Sequence, residues 1–195
     1  MNLALFDFDG TISFNDSFAS FLKYSVSAKK LYFGAFLLAP FIIAYKLKIL
    51  SNQKAKEKVL NYFYNGMSES DFNEICQRFS AEILNNLCKQ SALECLQNHK
   101  QNGDKIVIVS ASLQNYLQPW CAKYGYDLLA TKLEVKNGLI TGFIDGWNCY
   151  GKQKVRKIKQ NYDLKAFSRI YAYGDSKGDL PMLALAHERF YRNFK

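Results

Sequence analysis

Residues 3–11 read Leu3-Ala4-Leu5-Phe6-Asp7-Phe8-Asp9-Gly10-Thr11. A short apolar run of this kind predicts a buried β-strand, and two carboxylates follow at its carboxyl end. In open α/β sheets, ligands and metals bind at that edge. Two neighbouring carboxylates repel each other unless a cation or a reaction uses them. An Asp-Gly hairpin turn is the alternative interpretation, and this segment alone does not decide between the two.

Composition indicates a globular chain with a preference for anionic partners. At 195 residues and 49% hydrophobic, the chain is long enough for one domain with a substantial core. Its net charge of +9 favours phosphate esters, nucleic acid or anionic lipid. The basic residues are scattered without a reading motif, so nucleic acid is not expected as a partner.

The cysteines and the first residues of the chain indicate the cellular compartment to expect. The five cysteines lack C-x-x-C spacing, which argues against a zinc site and a disulfide framework and indicates reduced thiols. No basic region precedes the first apolar run, so we expect no secretory signal. A cytoplasmic protein is the resulting expectation.

Two further apolar runs predict strands that also end in polar residues. Residues 105–110 form a β-branched run that ends at Ser110, and residues 168–173 form a run followed by Gly174-Asp175-Ser176-Lys177-Gly178-Asp179. Because strands and helices alternate, we predict an α/β fold with a Rossmann-like parallel sheet. The roughly 90 residues between the first two strands are too many for a simple crossover. We therefore predict a core of residues 1–13 and 87–195, with a helical cap at 14–86.

Local signals predict the intervening elements. Ser68 is a candidate N-cap of a helix, and an apolar leucine stripe from Leu84 to Leu96 suggests that helix continues toward Lys100. Residues 134–142 predict a hairpin around Asn137-Gly138. Helices are expected at 113–124, at 152–161 and at 180–186.

One segment of the predicted cap is uncharged and strongly apolar. Residues 31–45 carry no charge and are flanked by lysines. They are fewer than the ~20 residues needed to span a bilayer, and Gly34 and Pro40 interrupt them. A buried hairpin within the cap is one interpretation. The other is an interfacial segment at a membrane, with residues 31–48 placing lysines at anionic headgroups.

Polar side chains at the predicted strand ends suggest a site for a cation and a phosphate. Asp7 and Asp9 end the first strand, Ser110 ends the second, and Asp175 with Asp179 follows the third. Carboxylate oxygens suit Mg²⁺, which binds through few carboxylates together with substrate phosphate. Lys152 and Lys154 open the preceding helix and could offset phosphate charge. Taken singly, these residues could be turns, solvated loops or a basic helix face; their joint order favours the functional interpretation.

Four segments together resemble the motifs of the haloacid dehalogenase superfamily. They are residues 7–11 (Asp-Phe-Asp-Gly-Thr), 109–112 (Val-Ser-Ala-Ser), 151–155 (Gly-Lys-Gln-Lys-Val) and 174–179 (Gly-Asp-Ser-Lys-Gly-Asp). The match is best with the phosphoserine-phosphatase-like branch, subfamily IB, and it covers nearly the whole chain. This resemblance implies a Rossmann-like core with a helical cap inserted after the first strand.

The resemblance also implies a role for each motif residue. Asp7 would be the nucleophile that forms an aspartyl-phosphate, and Asp9 the general acid and then base. Mg²⁺ would be held by Asp7, the Asp9 carbonyl and Asp175, with Asp179 in support. Ser110 and the motif lysine would hold the phosphate; Lys154 fits the branch pattern better than Lys152. Because Asp9 is present, dehalogenation is disfavoured.

The substrate stays open at this point. Residues 31–48 resemble the membrane-associated segment of phosphatidylglycerophosphatase C, which belongs to the same branch and implies a lipid phosphate at a membrane's inner face. A soluble phosphomonoester such as phosphoserine is the alternative, although no counterpart to the substrate-binding residues of phosphoserine phosphatase is evident. Phosphoryl transfer to another acceptor, as in a mutase, and a non-catalytic membrane-surface binding protein are further alternatives. Nothing indicates the oligomeric state.

Overall fold

The structure, a computed structural model, describes residues 1–194 and contains a five-stranded parallel sheet. Its strand order is β3-β2-β1-β6-β7, with β1 (Leu3–Phe6), β2 (Lys105–Leu113), β3 (Asp127–Thr131), β6 (Ile170–Gly174) and β7 (Glu188–Tyr191). A separate antiparallel hairpin joins β4 (Leu133–Lys136) to β5 (Leu139–Ile144). The predicted α/β class with a parallel sheet is confirmed.

Helices cover both faces of the sheet and fill the long insertion after β1. They are α1 (Ser17–Ser25), α2 (Ala28–Lys46), α3 (Asn52–Tyr64), α4 (Glu69–Glu82), α5 (Gln90–Gln101), α6 (Gln114–Tyr124), α7 (Lys152–Asn161) and α8 (Leu180–Leu183). Strand β1 shows why the sheet is covered twice. Ala4 and Phe6 pack into one apolar cluster with α5 and α6, whereas Leu3 and Leu5 pack into another with α7 and α8. Alternate residues of a strand point to opposite faces, so an uninterrupted apolar run is buried on both.

Strand register brings the predicted site residues to one edge. Phe6, the last residue of β1, pairs with Ile108 on one side and with Tyr173 on the other. The residues that follow these three positions therefore emerge at the same carboxyl edge of the sheet. This is where Asp7, Ser110 and Asp175 lie.

The insertion leaves and rejoins the sheet at one place. Ser13 and Cys88 form an antiparallel bridge, Phe14 N–H donates to the Leu87 carbonyl, and Lys89 N–H donates to the Ile12 carbonyl. The two connections thus run side by side. Packing between α4 and α6, around the buried ring of Phe21, joins the insertion to the rest of the chain. The assignment of residues 14–86 as a separate cap stays a prediction.

Helix α2 contradicts the buried hairpin, which was one of the two interpretations of residues 31–45. Ala28–Lys46 is one continuous helix that passes through both Gly34 and Pro40. Gly34 is required because a Cβ there would lie 2.4 Å from the Phe63 ring, so its role is close packing against α3. Pro40 costs the helix one hydrogen bond, and the helix continues on either side of it. Only Gly34 and Leu38 of this helix are buried.

Other differences have local causes. The predicted leucine stripe is broken by a 3₁₀ turn at Leu84–Leu87, because the chain returns to the sheet at Cys88. Strand β2 extends to Leu113 and displaces the start of α6 to Gln114. Helix α8 ends at Leu183, three residues before the predicted end. Strands β3 and β7 were not predicted, whereas the Asn137-Gly138 hairpin and the Ser68 N-cap are confirmed.

Candidate active site

Three carboxylates converge at the carboxyl edge of the sheet. Asp7 follows β1, while Asp175 and Asp179 belong to the loop after β6. One oxygen from each lies within 4.8 Å of one oxygen from each of the others. Thr11 Oγ1 joins two of them, since it lies 3.1 Å from Asp7 Oδ2 and 3.3 Å from Asp175 Oδ1.

Two glycines make this convergence possible. Gly10 has a φ of +83°, and a Cβ on it would lie 2.5 Å from Asp175 Oδ2. A Cβ on Gly174 would lie 2.5 Å from the Cβ of Asp179. Any larger residue at either position would push an acidic side chain out of the cluster.

Lys154 is the positive charge inside the cluster. Its Nζ donates to Asp7 Oδ1 at 2.5 Å and to Asp179 Oδ1 at 2.7 Å, and all three side chains are almost fully buried. It reaches the site from the first turn of α7. Lys152, two residues earlier, is exposed on that helix. The structure therefore brings Lys154, and not Lys152, to the predicted acids.

The electrostatics of the cluster follow from burial. Burial, together with Asp179 and Asp9, raises the pKa of Asp7 in spite of Lys154. Burial also acts to raise the pKa of Asp179, but Lys154 and Ser176 outweigh it, and the pKa falls below its ordinary value. For Lys154, burial lowers the pKa and the two acids more than reverse that effect. One ammonium between these acids leaves negative charge that is not neutralised.

The donor set fits a hard divalent cation. Three carboxylates offer oxygen ligands from two chain segments, and the residual negative charge would be compensated by an ion. Asp179 accepts hydrogen bonds from Lys154, from the Ser176 hydroxyl and from two backbone N–H groups. Asp7 accepts from Lys154 and Thr11, and Asp175 accepts from Thr11, so these two carboxylates are the freer ones. These two residues would hold Mg²⁺ most directly.

Asp9 lies beside this cluster and is held by its own partners. Its Oδ2 accepts from Ser112 Oγ at 2.5 Å and its Oδ1 accepts from Ser17 N–H at 2.6 Å. Burial and the nearby Asp16 raise the pKa of Asp9, although both serines work against the rise. A carboxylate has about four lone-pair sites, so Asp9 retains capacity for a further proton or hydrogen bond.

Ser110 is fully buried at the end of the straight part of β2. Its Oγ accepts a hydrogen bond from Ser112 N–H at 3.0 Å. The hydroxyl proton is not used by that bond, so it can be donated to a phosphate oxygen. The structure thus places Ser110 beneath the site rather than on the cavity wall.

A cavity of about 330 Å³ opens between the acidic cluster and the insertion. Asp7, Asp9 and Lys154 form its floor, while α2 and α3 contribute Ile42, Tyr45, Asn52, Lys56 and Val59 to its walls. The volume lies within the usual range of small-molecule sites, ~300–1,000 Å³. Both the charged floor and the apolar wall therefore face the same space.

Lys56 is the site residue that the sequence did not reveal. Its Nζ donates to the Ala111 carbonyl at 2.6 Å, between Ser110 and Ser112. Burial lowers the pKa of Lys56, while Asp9 and Asp16 raise it in part. Lysines alternate along this part of α3, and a lysine far from every motif looks like part of a solvated helix face. No signal in the sequence separates it from its neighbours.

The chain matches known proteins over nearly its full length. The profile of the family described as haloacid dehalogenase-like hydrolase matches residues 4–184. Protein CicA of Caulobacter vibrioides is 34% identical over 197 residues, covering 99% of this chain and 86% of that protein. A histidinol-phosphatase of Neisseria meningitidis serogroup C is 24% identical, with 96% and 88% covered. A solved phospho-aspartyl intermediate analogue of phosphoserine phosphatase shares the fold, with a TM-score of 0.65, 18% identity, and 95% and 83% covered.

We expect Lys154→Met to destabilise the protein by about 3–5 kcal/mol at pH 8, because it leaves two buried carboxylates without their partner. Without that partner the pKa of Asp7 rises further, and the pKa of Asp179 also rises because burial is no longer outweighed by Lys154. The loss is therefore greatest at high pH and shrinks as the acids become protonated toward pH 5. Urea unfolding at both pH values without divalent cations measures it. The exposed Lys152→Met is the control, and equal losses in the two variants would contradict the assignment.

Proposed function

This chain belongs to the haloacid dehalogenase-like hydrolases and is a phosphatase, and from that premise we propose that it hydrolyses phosphomonoesters through an aspartyl-phosphate on Asp7 with Mg²⁺ as cofactor. The observation that carries the proposal is the convergence of Asp7, Asp175 and Asp179 around Lys154. The phosphoserine phosphatase structure that shares this fold is a phospho-aspartyl intermediate analogue, which supports the same chemistry.

The first step forms the covalent intermediate. An Asp7 carboxylate oxygen attacks phosphorus, the bond from phosphorus to the ester oxygen breaks, and the leaving alcohol takes a proton from Asp9. The raised pKa of Asp9 suits it to carry that proton. Lys154 stabilises the phosphoryl oxygens by charge, and the Ser110 hydroxyl, next to the cavity-lining Ala111, turns to donate to one of them. Bound at Asp7 and Asp175, Mg²⁺ would supply further charge neutralisation.

The second step releases phosphate. Asp9, now ionised, accepts a proton from water as the water oxygen attacks phosphorus. The bond between phosphorus and Asp7 breaks, and inorganic phosphate and the original carboxylate are restored. The same two side chains therefore serve both halves of the reaction. If another alcohol replaced water here, the enzyme would be a phosphotransferase.

For the substrate, we propose a lipid phosphate at an anionic membrane surface. Helix α2 exposes large apolar side chains, among them Tyr32, Phe33 and Phe36, each at least 69% exposed. It is long and apolar enough to cross a membrane by length and composition, the one such helix in residues 1–194. We propose that it instead lies along the interface, because its inner side is a wall of the cavity.

The positive charge of residues 17–56 also supports binding to an anionic membrane surface. Between Asp16 and Glu57 the chain has seven lysines and no acidic residue. Basic side chains beside an exposed apolar helix favour anionic headgroups, each contributing ~1 kcal/mol near such a surface. Ile42 and Tyr45 extend this helix into the cavity, so the apolar part of a lipid and its phosphate would meet adjacent surfaces. A cytoplasmic enzyme attached to the inner face of the membrane is part of this proposal.

The second candidate is a soluble phosphomonoesterase. Similarity to the histidinol-phosphatase of Neisseria meningitidis and to phosphoserine phosphatase favours it. Phosphate release from phosphatidylglycerophosphate in detergent micelles, compared with histidinol phosphate and phosphoserine, distinguishes the two. Turnover of soluble esters without turnover of the lipid would reject the lipid proposal and retain the phosphatase.

We expect Asp7→Asn to abolish hydrolysis of p-nitrophenyl phosphate, by at least about 10³-fold, while the protein stays folded. An amide cannot attack phosphorus as the carboxylate does. Initial rates and the circular dichroism spectrum are compared with those of Asp71→Asn, an exposed acid on α4. Persistent turnover in Asp7→Asn would remove Asp7 from its role as nucleophile.

Removal of divalent cations is expected to stop the reaction, and added Mg²⁺ to restore it. Binding to the folded state also stabilises it, by ~2.7 kcal/mol when the ion is present at 100 times its Kd. Thermal unfolding with and without Mg²⁺ measures this shift. Asp175→Asn should lose it and Asp71→Asn should retain it; full activity in the presence of chelator would refute the cofactor.

We expect the wild-type protein to sediment with vesicles containing phosphatidylglycerol and much less with vesicles of phosphatidylcholine alone. The double variant Tyr32→Ser/Phe36→Ser should bind the anionic vesicles at least about tenfold more weakly, because it loses buried apolar area. Hydrolysis of p-nitrophenyl phosphate should be unchanged. Phe143→Ser, which alters an exposed aromatic on β5, is the control. Equal binding by the double variant and the control would exclude α2 as the attachment surface.

A further inference from the structure

The residues after β7 fold back onto the carboxylate cluster. Tyr191, the last residue of β7, pairs with Gly174, and Arg192 N–H donates to the Gly174 carbonyl at 2.8 Å. The Arg192 side chain then donates from Nε to the Asp175 carbonyl at 3.0 Å. Residues 192–194, named here the C-terminal tail, therefore contact the backbone of a proposed metal ligand.

Lys89 holds this tail from the opposite side. Its side chain enters the interior where the insertion rejoins the sheet, and the residue is 9% exposed. Nζ donates to the Gly10 carbonyl at 2.7 Å and to the Phe194 carbonyl at 3.2 Å. A buried ammonium without hydrogen-bond partners is costly, so these two carbonyls fix its position and Lys89 fixes theirs.

The ring of Phe194 anchors the tail below the site. It stacks against Tyr173 with 5.4 Å between ring centroids and against Phe6 with 6.4 Å between centroids. These are the last residue of β1 and the residue before Gly174. The tail is thus packed against the two strand ends from which Asp7 and Asp175 emerge.

The charge of Lys89 also reaches the site. Burial and Asp179 raise the pKa of Asp175, whereas Thr11, Lys89 and Lys154 oppose that rise. Lys89 is therefore one of the two cations that favour ionised Asp175. Its carbonyl partner Gly10 is the residue whose missing side chain leaves room for that acid.

We propose that Lys89 and Arg192 are positioning residues that make the C-terminal tail part of the metal-binding side of the catalytic centre. Lys89 links Gly10 to the tail by donating to a carbonyl of each, and Arg192 links the tail to Asp175 by donating to the Asp175 carbonyl. Outer partners of metal ligands commonly change metal affinity by ~10–100-fold when removed. The inference rests on the proposed Mg²⁺ site and concerns its geometry, not the identity of the substrate.

The test compares Mg²⁺ affinity in the full-length, substrate-free protein by isothermal titration calorimetry. Lys89→Met should weaken Mg²⁺ binding about tenfold or more, and Arg192→Ala should weaken it severalfold. Two matched controls also lose a bond to a backbone carbonyl, and both should bind as the wild type does. Lys100→Met loses the bond from α5 to the Tyr124 carbonyl, and Arg189→Ala loses the bond from β7 to the Ala186 carbonyl.

A kinetic readout separates positioning from general destabilisation. The Mg²⁺ concentration for half-maximal p-nitrophenyl phosphate hydrolysis should rise in parallel with the Kd, while kcat at saturating Mg²⁺ stays within about twofold. Arg192 is exposed, so its variant carries the test if Lys89→Met does not fold.

Each outcome is decisive. Unchanged or tighter Mg²⁺ binding in a folded variant would overturn the inference, because removal of a nearby positive charge alone favours a cation. A wild-type protein that binds no Mg²⁺ would overturn the proposed cofactor and this inference together. Wild-type binding with equal binding by the variants would overturn the inference alone.

Discussion

The ammonium of Lys154 between Asp7 and Asp179 is the interaction on which the site depends. Bringing three carboxylates together, two of them buried, is unfavourable unless positive charge accompanies them. Lys154 supplies that positive charge from α7, which lies on the opposite face of the sheet from the insertion. Because the three side chains come from distant parts of the chain, the pairing also fixes how β1, β6 and α7 sit relative to one another. Stability and the proposed catalysis therefore depend on the same charges.

Much of this arrangement could be predicted from the sequence because parallel strands leave strong local signals. Runs such as residues 3–6 are apolar on both faces, and their polar ends must emerge at a common edge once the strands pair. The sequence indicated less clearly which of Lys152 and Lys154 reaches the acidic cluster. Both lie in the first turn of α7, and only the rotation of that helix against the sheet buries one and exposes the other.

Other features of the fold and of the site were not predicted because they depend on tertiary packing. Strands β3 and β7 are edge strands with mixed burial, so their patterns lack the uniform apolar character of β1. Lys56 gains its place from the docking of α3 over β2, which no spacing along the chain encodes. Helix α2 tolerates Pro40 because the apolar segment continues as a helix on both sides and Gly34 lets it approach α3. The tail's contacts with Lys89 and Asp175 depend on β7, a strand that was itself not predicted.

The exposed face of α2 has a consequence for the protein in water. Large apolar patches are rare on soluble monomers, and exposed side chains such as Tyr32, Phe33 and Phe36 favour adhesion between copies of the chain. The positive charges around it oppose that adhesion through mutual repulsion, which salt screens over roughly 10 Å at 0.1 M. The protein should therefore aggregate more readily as ionic strength rises. A protein that precipitates near its isoelectric point shows the reverse dependence on salt. Low-salt buffers and mild detergent are the conditions under which this chain is expected to remain dispersed.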